Sequence, residues 1–185
     1  MDANRKKLIL IIIVSVTGSL LVAALGLFLF FKGQFGEYKD TKNKFSMRAP
    51  AGWKIVKNPQ PGAVVVFISP KENALDLIQE NISVVIQPVP AGIASMPTYS
   101  DTIKKQLTAV FSTNIKIIED KTVKVGYRTG HRLAYDALKP DHVKFIHLWT
   151  IKGDKAYIVT FFGDMNVYKN YALTVDEVFN SFQVK

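Results

Sequence analysis

The hydrophobic pattern divides the chain near residue 32. Residues 1–7 (MDANRKK) are polar and basic, and Leu8 to Phe31 (LILIIIVSVTGSLLVAALGLFLFF) carries no charge. At a helical rise of ~1.5 Å per residue this run extends roughly 36 Å, enough to cross a bilayer core with some tilt. Ser15, Thr17 and Ser19 can return their hydroxyls to backbone carbonyls, so they do not oppose insertion. The pattern predicts a transmembrane helix over residues 8–31. A cleaved signal peptide is the competing reading, because Arg5-Lys6-Lys7 forms a basic start and Val22-Ala23-Ala24 offers small residues to a peptidase. The apolar run continues through Leu25 to Phe31 without a polar cleavage region, which favours an uncleaved signal-anchor. Three adjacent cations on so short a tail place residues 1–7 in the cytoplasm and the rest outside.

Residues 32–44 (KGQFGEYKDTKNK) show no period and read as a polar tether. From Phe45 onward the period is two. Phe45–Ala49 and Trp53–Val56 alternate around a Pro50-Ala51-Gly52 turn, and Val64–Ser69 and Asn81–Gln87 are β-branched runs closed by prolines. Lys71–Glu80 between them reads as a loop with room for one helical turn at Ala74–Leu77. At Ser100 the period lengthens: Ile103, Leu107, Val110 and Phe111 fall on one helical face, with Ser100 or Asp101 available as a cap. Strand patterns return at Ile115–Glu119, Thr122–Val125, Gly130–Tyr135, Val143–Ile151 and Lys155–Phe162, and a one-sided helix covers Val167–Ser181. Lys152-Gly153-Asp154 joins the last two strands as a tight hairpin. This order predicts an α+β fold, an antiparallel sheet sandwiched by helices, preceded by one transmembrane helix. The expected organisation is a tail at 1–7, the membrane helix at 8–31, a tether at 32–44 and one domain over 45–185.

Composition narrows the function. The chain has no cysteine, which excludes disulfides, thiolate metal sites, a cysteine nucleophile and a lipoprotein attachment cysteine. Its net charge of +9 is scattered, and beyond the tail the longest basic run is Lys104-Lys105, so no nucleic-acid footprint is expected.

The chemistry-bearing residues are few. Asp136, Asp141 and His142 form the densest potential metal cluster, but Lys139-Pro140-Asp141-His142 reads as a polar turn. His147 beside Trp149 reads as a hydrogen-bonded histidine of a strand face. Glu119-Asp120 and Asp176-Glu177 are sequence neighbours that point apart and read as solvated surface. Gly126-Tyr127-Arg128-Thr129-Gly130 lacks the lysine and the following helix of a phosphate-binding loop. The sequence therefore nominates no catalytic, cofactor-binding or metal-binding residue, and the chain is expected not to be an enzyme. The aromatics Trp53, Trp149, Tyr157, Phe161, Phe162, Tyr168 and Tyr171 follow the buried periodicity and read mainly as core.

Several segments together resemble the PsbP family, extrinsic proteins of photosystem II with many bacterial relatives. They are Phe45-Ser46-Met47 with Pro50 and Gly52-Trp53, Asn81 to Pro88 (NISVVIQP), Gly130-His131-Arg132-Leu133, Trp149 through Lys155-Ala156-Tyr157-Ile158, and Ser181-Phe182. Similar strand-rich pieces recur in bacterial envelope lipoproteins of the DcrB type. The resemblance implies an α/β/α sandwich and a binding or assembly role. It also implies a metal at a His and an Asp near the final hairpin, where His147 and Asp164 stand here. Pairing Ile151 with Ala156 sets His147 opposite Thr160 and leaves Asp164 about four residues, ~13 Å, further along, too far for one ion. The metal site is therefore not carried over.

The resulting expectation is a membrane-anchored, non-enzymatic, extracytoplasmic binding or assembly accessory protein. It needs no cofactor, binds no nucleic acid and meets a protein partner in the same membrane or envelope. The alternative is a carrier of a lipid or other apolar molecule, which requires a closed apolar cavity of ~300 Å³ or more.

Overall fold

The computed structural model describes residues 35–60, 62–90, 92–93, 95–111, 114–138 and 142–185. The basic tail and the membrane helix expected over residues 8–31 lie outside them. Among the described residues no helix is long and apolar enough to cross a membrane.

The elements run β1 (Phe35–Asp40), β2 (Phe45–Pro50), β3 (Lys54–Gln60), β4 (Ala63–Ile68), β5 (Asn81–Pro88), α1 (Met96–Phe111), β6 (Ile115–Val125), β7 (Arg128–Ala137), β8 (Val143–Lys152), β9 (Lys155–Asp164), α2 (Tyr168–Ser181) and β10 (Gln183–Val184). Seven strands form one sheet in the order β3-β4-β5-β9-β8-β7-β6, and β1, β2 and β10 form a smaller one. The ladders between neighbouring strands of the large sheet are all antiparallel.

One face of the large sheet is closed. Val65, Phe67, Ile82, Val84, Ile146, Leu148, Val159 and Phe161 share it by register, and each is nearly inaccessible. Phe45 and Met47 of β2, Val175, Val178 and Phe179 of α2, and Phe182 complete this core. Ring contacts tie the layers: Phe45 to Phe182 at 5.7 Å and Phe161 to Tyr168 at 5.6 Å. α2 forms because its apolar positions recur every three to four residues, so one stripe meets the sheet.

α1 packs on the opposite face. Tyr99 of α1 joins Leu133, Tyr135, Trp149 and Ala156 in a buried cluster flanked by Ile103, Leu107, Phe145, Ile151 and Ile158. The Trp149 indole donates to Ser100 Oγ at 3.0 Å, which fixes α1 against β8.

Three expectations need correction. Residues 35–40, assigned above to the tether, form β1, because the Tyr38 ring packs edge-on against Phe67 at 5.3 Å and beside Phe45 at 5.9 Å. α1 begins at Met96, not Ser100: Ser95 accepts from Tyr99 N at 3.0 Å, and Pro97 sits in the first turn, where its missing N–H costs nothing. Residues 115–125 form one strand, continuous through Asp120 and Lys121, which pair with Leu133 and Arg132; a register irregularity lies earlier, between Ile117 and Glu119.

Candidate binding surface

α1 covers only part of its face, because it packs over β7 and β8. The ladders carry two rungs from beneath it toward the open side. One runs Tyr135, Phe145, Phe162, Asn81, Ile68, and the next runs Leu133, His147, Thr160, Ser83, Val66. Tyr135 and Leu133 are buried, and every residue beyond them in both rungs is partly exposed. The result is a partly exposed strip across β4, β5 and β9, in which the apolar Val66, Ile68 and Phe162 surround the polar Asn81, Ser83 and Thr160. At its edge Val66, Ile68, Asn81 and Phe162 meet the β4–β5 loop around a depression of about 580 Å³ that also touches Leu77 and Ile78.

Thr160, His147 and Tyr135 form a hydrogen-bonded chain beside the strip. Thr160 Oγ1 lies 2.9 Å from His147 Nδ1, and Tyr135 Oη lies 3.2 Å from His147 Nε2. The imidazole stacks with Phe145 and Tyr135 at 5.9 and 5.5 Å. Desolvation lowers its pKa to about 4, so it is neutral at pH 7 with both nitrogens occupied. Burial raises the Tyr135 phenol as well. A neutral imidazole without a free nitrogen neither takes a substrate proton nor ligates an ion.

The family-implied metal therefore does not fit here. Asp164 faces Val143 across the ladder, four residues from the His147 position, and its Oδ1 accepts from Asn166 N at 2.7 Å. Of the other cluster, two members are described. Asp136 pairs with Lys144, whose Nζ sits 5.0 Å from the Tyr168 ring centroid, and His142 is exposed at positive φ. Asp141 lies outside the described residues. Among those residues no group of three or more His, Asp or Glu could hold a metal.

The paired carboxylates do point apart, yet they are engaged rather than merely solvated. Asp120 reaches His131 Nε2 at 2.6 Å and Lys104 at 3.2 Å on the α1 side. Glu119 faces Arg132 at 3.3 Å, and Arg132 continues to Asp176 at 2.7 Å and lies over the Phe179 ring. Glu177 pairs with Arg48. Burial alone would raise the Asp120 pKa, but the His131 and Lys104 contacts outweigh it and leave it lowered. His131 stacks on Trp149 at 4.9 Å. These are struts between layers. In the 126–130 glycine segment, Gly126 at φ +58° and the fully exposed Tyr127 make the β6–β7 turn, and Arg128–Gly130 open β7.

Sequence reasoning missed the strip. Its signal was present in β4 (AVVVFI) and β9 (KAYIVTFFGD), which are apolar on both faces, but that pattern does not say which face a helix leaves bare. The depressions along the surface, about 260 to 680 Å³, open to solvent and are lined by Asn, Lys and Asp as well as apolar groups. They are not the closed apolar chamber that a carrier needs.

Comparison with known proteins agrees with this architecture. The structure resembles cyanobacterial PsbP (CyanoP) from Synechocystis at TM-score 0.61 and 20% identity, covering 82% of this chain and 93% of that one. It resembles LpqN, involved in cell envelope biogenesis of Mycobacterium tuberculosis, at TM-score 0.57 and 5% identity, covering 82% and 91%. It resembles the Saccharomyces cerevisiae Ran-binding protein Mog1p at TM-score 0.55 and 11% identity, covering 81% and 95%. At such identities these likenesses concern the fold. Compared by sequence with curated proteins, the chain finds no match. The sequence pattern of PsbP matches residues 33–184, and the chain belongs to the PsbP family.

Proposed function

We propose that the chain is a membrane-tethered, non-enzymatic, extracytoplasmic binding or assembly module that docks a protein partner of the same membrane or envelope on the uncovered strip of its large sheet. The observation that carries this reading is the asymmetry of that sheet. One face is sealed by α2 and the small sheet, while α1 leaves Val66, Ile68, Phe162 and their neighbours partly exposed. Partly exposed apolar side chains grouped on an uncovered sheet face, with polar groups among them, suit a protein interface. The engaged state of His147 and the mixed, open depressions support binding over chemistry. The envelope association of LpqN is consistent with this setting. Confinement by the apolar run at 8–31 raises the effective concentration of the domain for a partner in the same bilayer, so a weak interface suffices.

The test uses the absence of cysteine. Ser83→Cys is introduced in the full chain, a short cross-linker is attached in intact cells, and adducts are recovered from membranes. One discrete adduct is expected, abolished by adding Phe162→Asp and unchanged by Glu177→Gln. If no adduct forms, or if Phe162→Asp leaves it intact, the strip is not the docking surface.

A further inference from the structure

We propose that the β4–β5 loop is a second membrane contact, a pair of leucines that dips into the bilayer interface beside the point where the chain leaves the membrane. The inference rests on the reading of residues 8–31 as an anchor and adds to it how the domain stands on the lipid.

Leu75 and Leu77 are 85% and 94% exposed, the two most solvent-facing leucines among the described residues. They are displayed by a built loop. Asn73 Oδ1 accepts from Leu75 N at 2.8 Å, and the Asp76 carboxylate accepts from Ile78 N at 3.2 Å and Glu72 N at 3.1 Å. A turn held in this way keeps two leucine side chains in water, and contact with an apolar phase would recover their burial.

The topology says what receives them. A four-residue turn joins β1 to β2, so the two are antiparallel and the chain enters β1 at the Pro50 end of β2. After Pro50 the chain turns through Trp53 into β3, and Lys54 pairs with Ile68, immediately before the loop. The Trp53 ring packs on Tyr171 at 5.9 Å, and the Tyr171 hydroxyl donates to Glu72 of the loop at 3.0 Å. The entry of β1 and the leucine pair thus share one end of the domain, and the β8–β9 turn at Gly153 marks the other.

Four Cα steps separate Phe31, the last residue of the apolar run, from Phe35, the first of β1. They span at most about 14 Å, of which the headgroup layer takes roughly 5–8 Å. A link this short keeps the entry of β1 near the lipid surface, within reach of the end that carries the loop. Exposed charges there are of both signs, Lys54 and Lys71 against Glu72, so apolar insertion rather than attraction to anionic headgroups makes the contact.

The test places Leu77→Cys, and separately Asp154→Cys at the far end, in the full chain. Each is spin-labelled and reconstituted in phosphatidylcholine vesicles, and collisional accessibility to oxygen and to a water-soluble nickel complex is measured after flotation. The oxygen-to-nickel ratio is expected to be several-fold higher at 77 than at 154, and to fall to the value at 154 when Leu75→Glu is added. Protein that floats with the vesicles but shows an aqueous label at 77 overturns the loop contact and leaves the anchor standing. Protein that does not float overturns both.

Discussion

His147 Nδ1 lies 2.9 Å from Thr160 Oγ1 across the β8–β9 ladder, and the same imidazole meets Tyr135 Oη on its other side. An uncharged ring satisfies both hydroxyls, and the desolvation that surrounds it lowers its pKa to about 4 from an ordinary 6.5. This has a consequence for acid stability. As pH falls below 6.5 the unfolded chain takes up a proton that the folded chain refuses until about pH 4, so stability declines across that window. At about 1.4 kcal/mol per unit the loss is roughly 3.5 kcal/mol at most. Asp120 acts in the same direction but lower. Its pKa is lowered from 3.8, so the stability it contributes is lost only below that value. Denaturant titrations of the wild type and His147→Gln at pH 7 and pH 4.5 separate the two, and the variant is expected to show the shallower fall. Equal slopes would mean that the ring is protonated in the folded state.

The second prediction concerns the indole bond that ties α1 to β8. Ser100→Ala leaves the buried Trp149 N–H without its acceptor and is expected to cost about 1–3 kcal/mol. Trp149→Phe removes the donor and opens a small void. The double variant should be destabilised by less than the sum of the two, because the unsatisfied donor is counted only once. Strict additivity in equilibrium unfolding would show that the bond contributes nothing.

How far the sequence foretold this arrangement differs by element. The β8–β9 register follows by counting outward from Lys152-Gly153-Asp154, since Gly153 at φ +61° fixes a two-residue turn and every later pair follows, His147 with Thr160 included. α2 follows from its apolar spacing. The start of α1 was hidden because Pro97 reads as a helix breaker unless its place in the first turn is known. β6 reads as two strands because the charged pair Asp120-Lys121, of low strand propensity, interrupts it, yet both residues pair regularly with β7. The binding strip was illegible for a different reason: β4 and β9 are apolar on both faces, and where a sixteen-residue helix comes to rest on such a sheet is decided by tertiary packing.

β1 yields the third prediction. If residues 32–44 acted only as a tether, replacing Tyr38 would be silent. In the structure its ring meets Phe67 edge-on and Phe45 at a tilt, and burial followed by the nearby Asp40 charge raises its pKa. Tyr38→Ala in the full chain is expected to lower domain stability by about 2 kcal/mol, less than a fully buried aromatic because the residue is only partly covered. An unchanged unfolding midpoint would return this segment to the tether.

The last prediction ranks two glycines by what surrounds them. A Cβ at Gly163 would stand 2.7 Å from Glu80 Cγ and 2.8 Å from Phe161 Cζ, the outer parts of side chains. Both are buried, so they yield only by disturbing the closed core, and Gly163→Ala should cost about 1–3 kcal/mol. A Cβ at Gly130 would stand 2.6 Å from Val125 Cγ2 and 2.8 Å from the Trp149 carbonyl oxygen. That carbonyl belongs to β8, which pairs with β7 along its length, so relief there requires the strands to separate locally. Trp149 also carries the Ser100 bond and the His131 stack, so the displacement spreads into the contact with α1. Gly130→Ala should therefore be the more damaging of the two, with a lower urea midpoint than Gly163→Ala. The reverse order would mean that the buried Glu80 resists movement more strongly than the sheet backbone does.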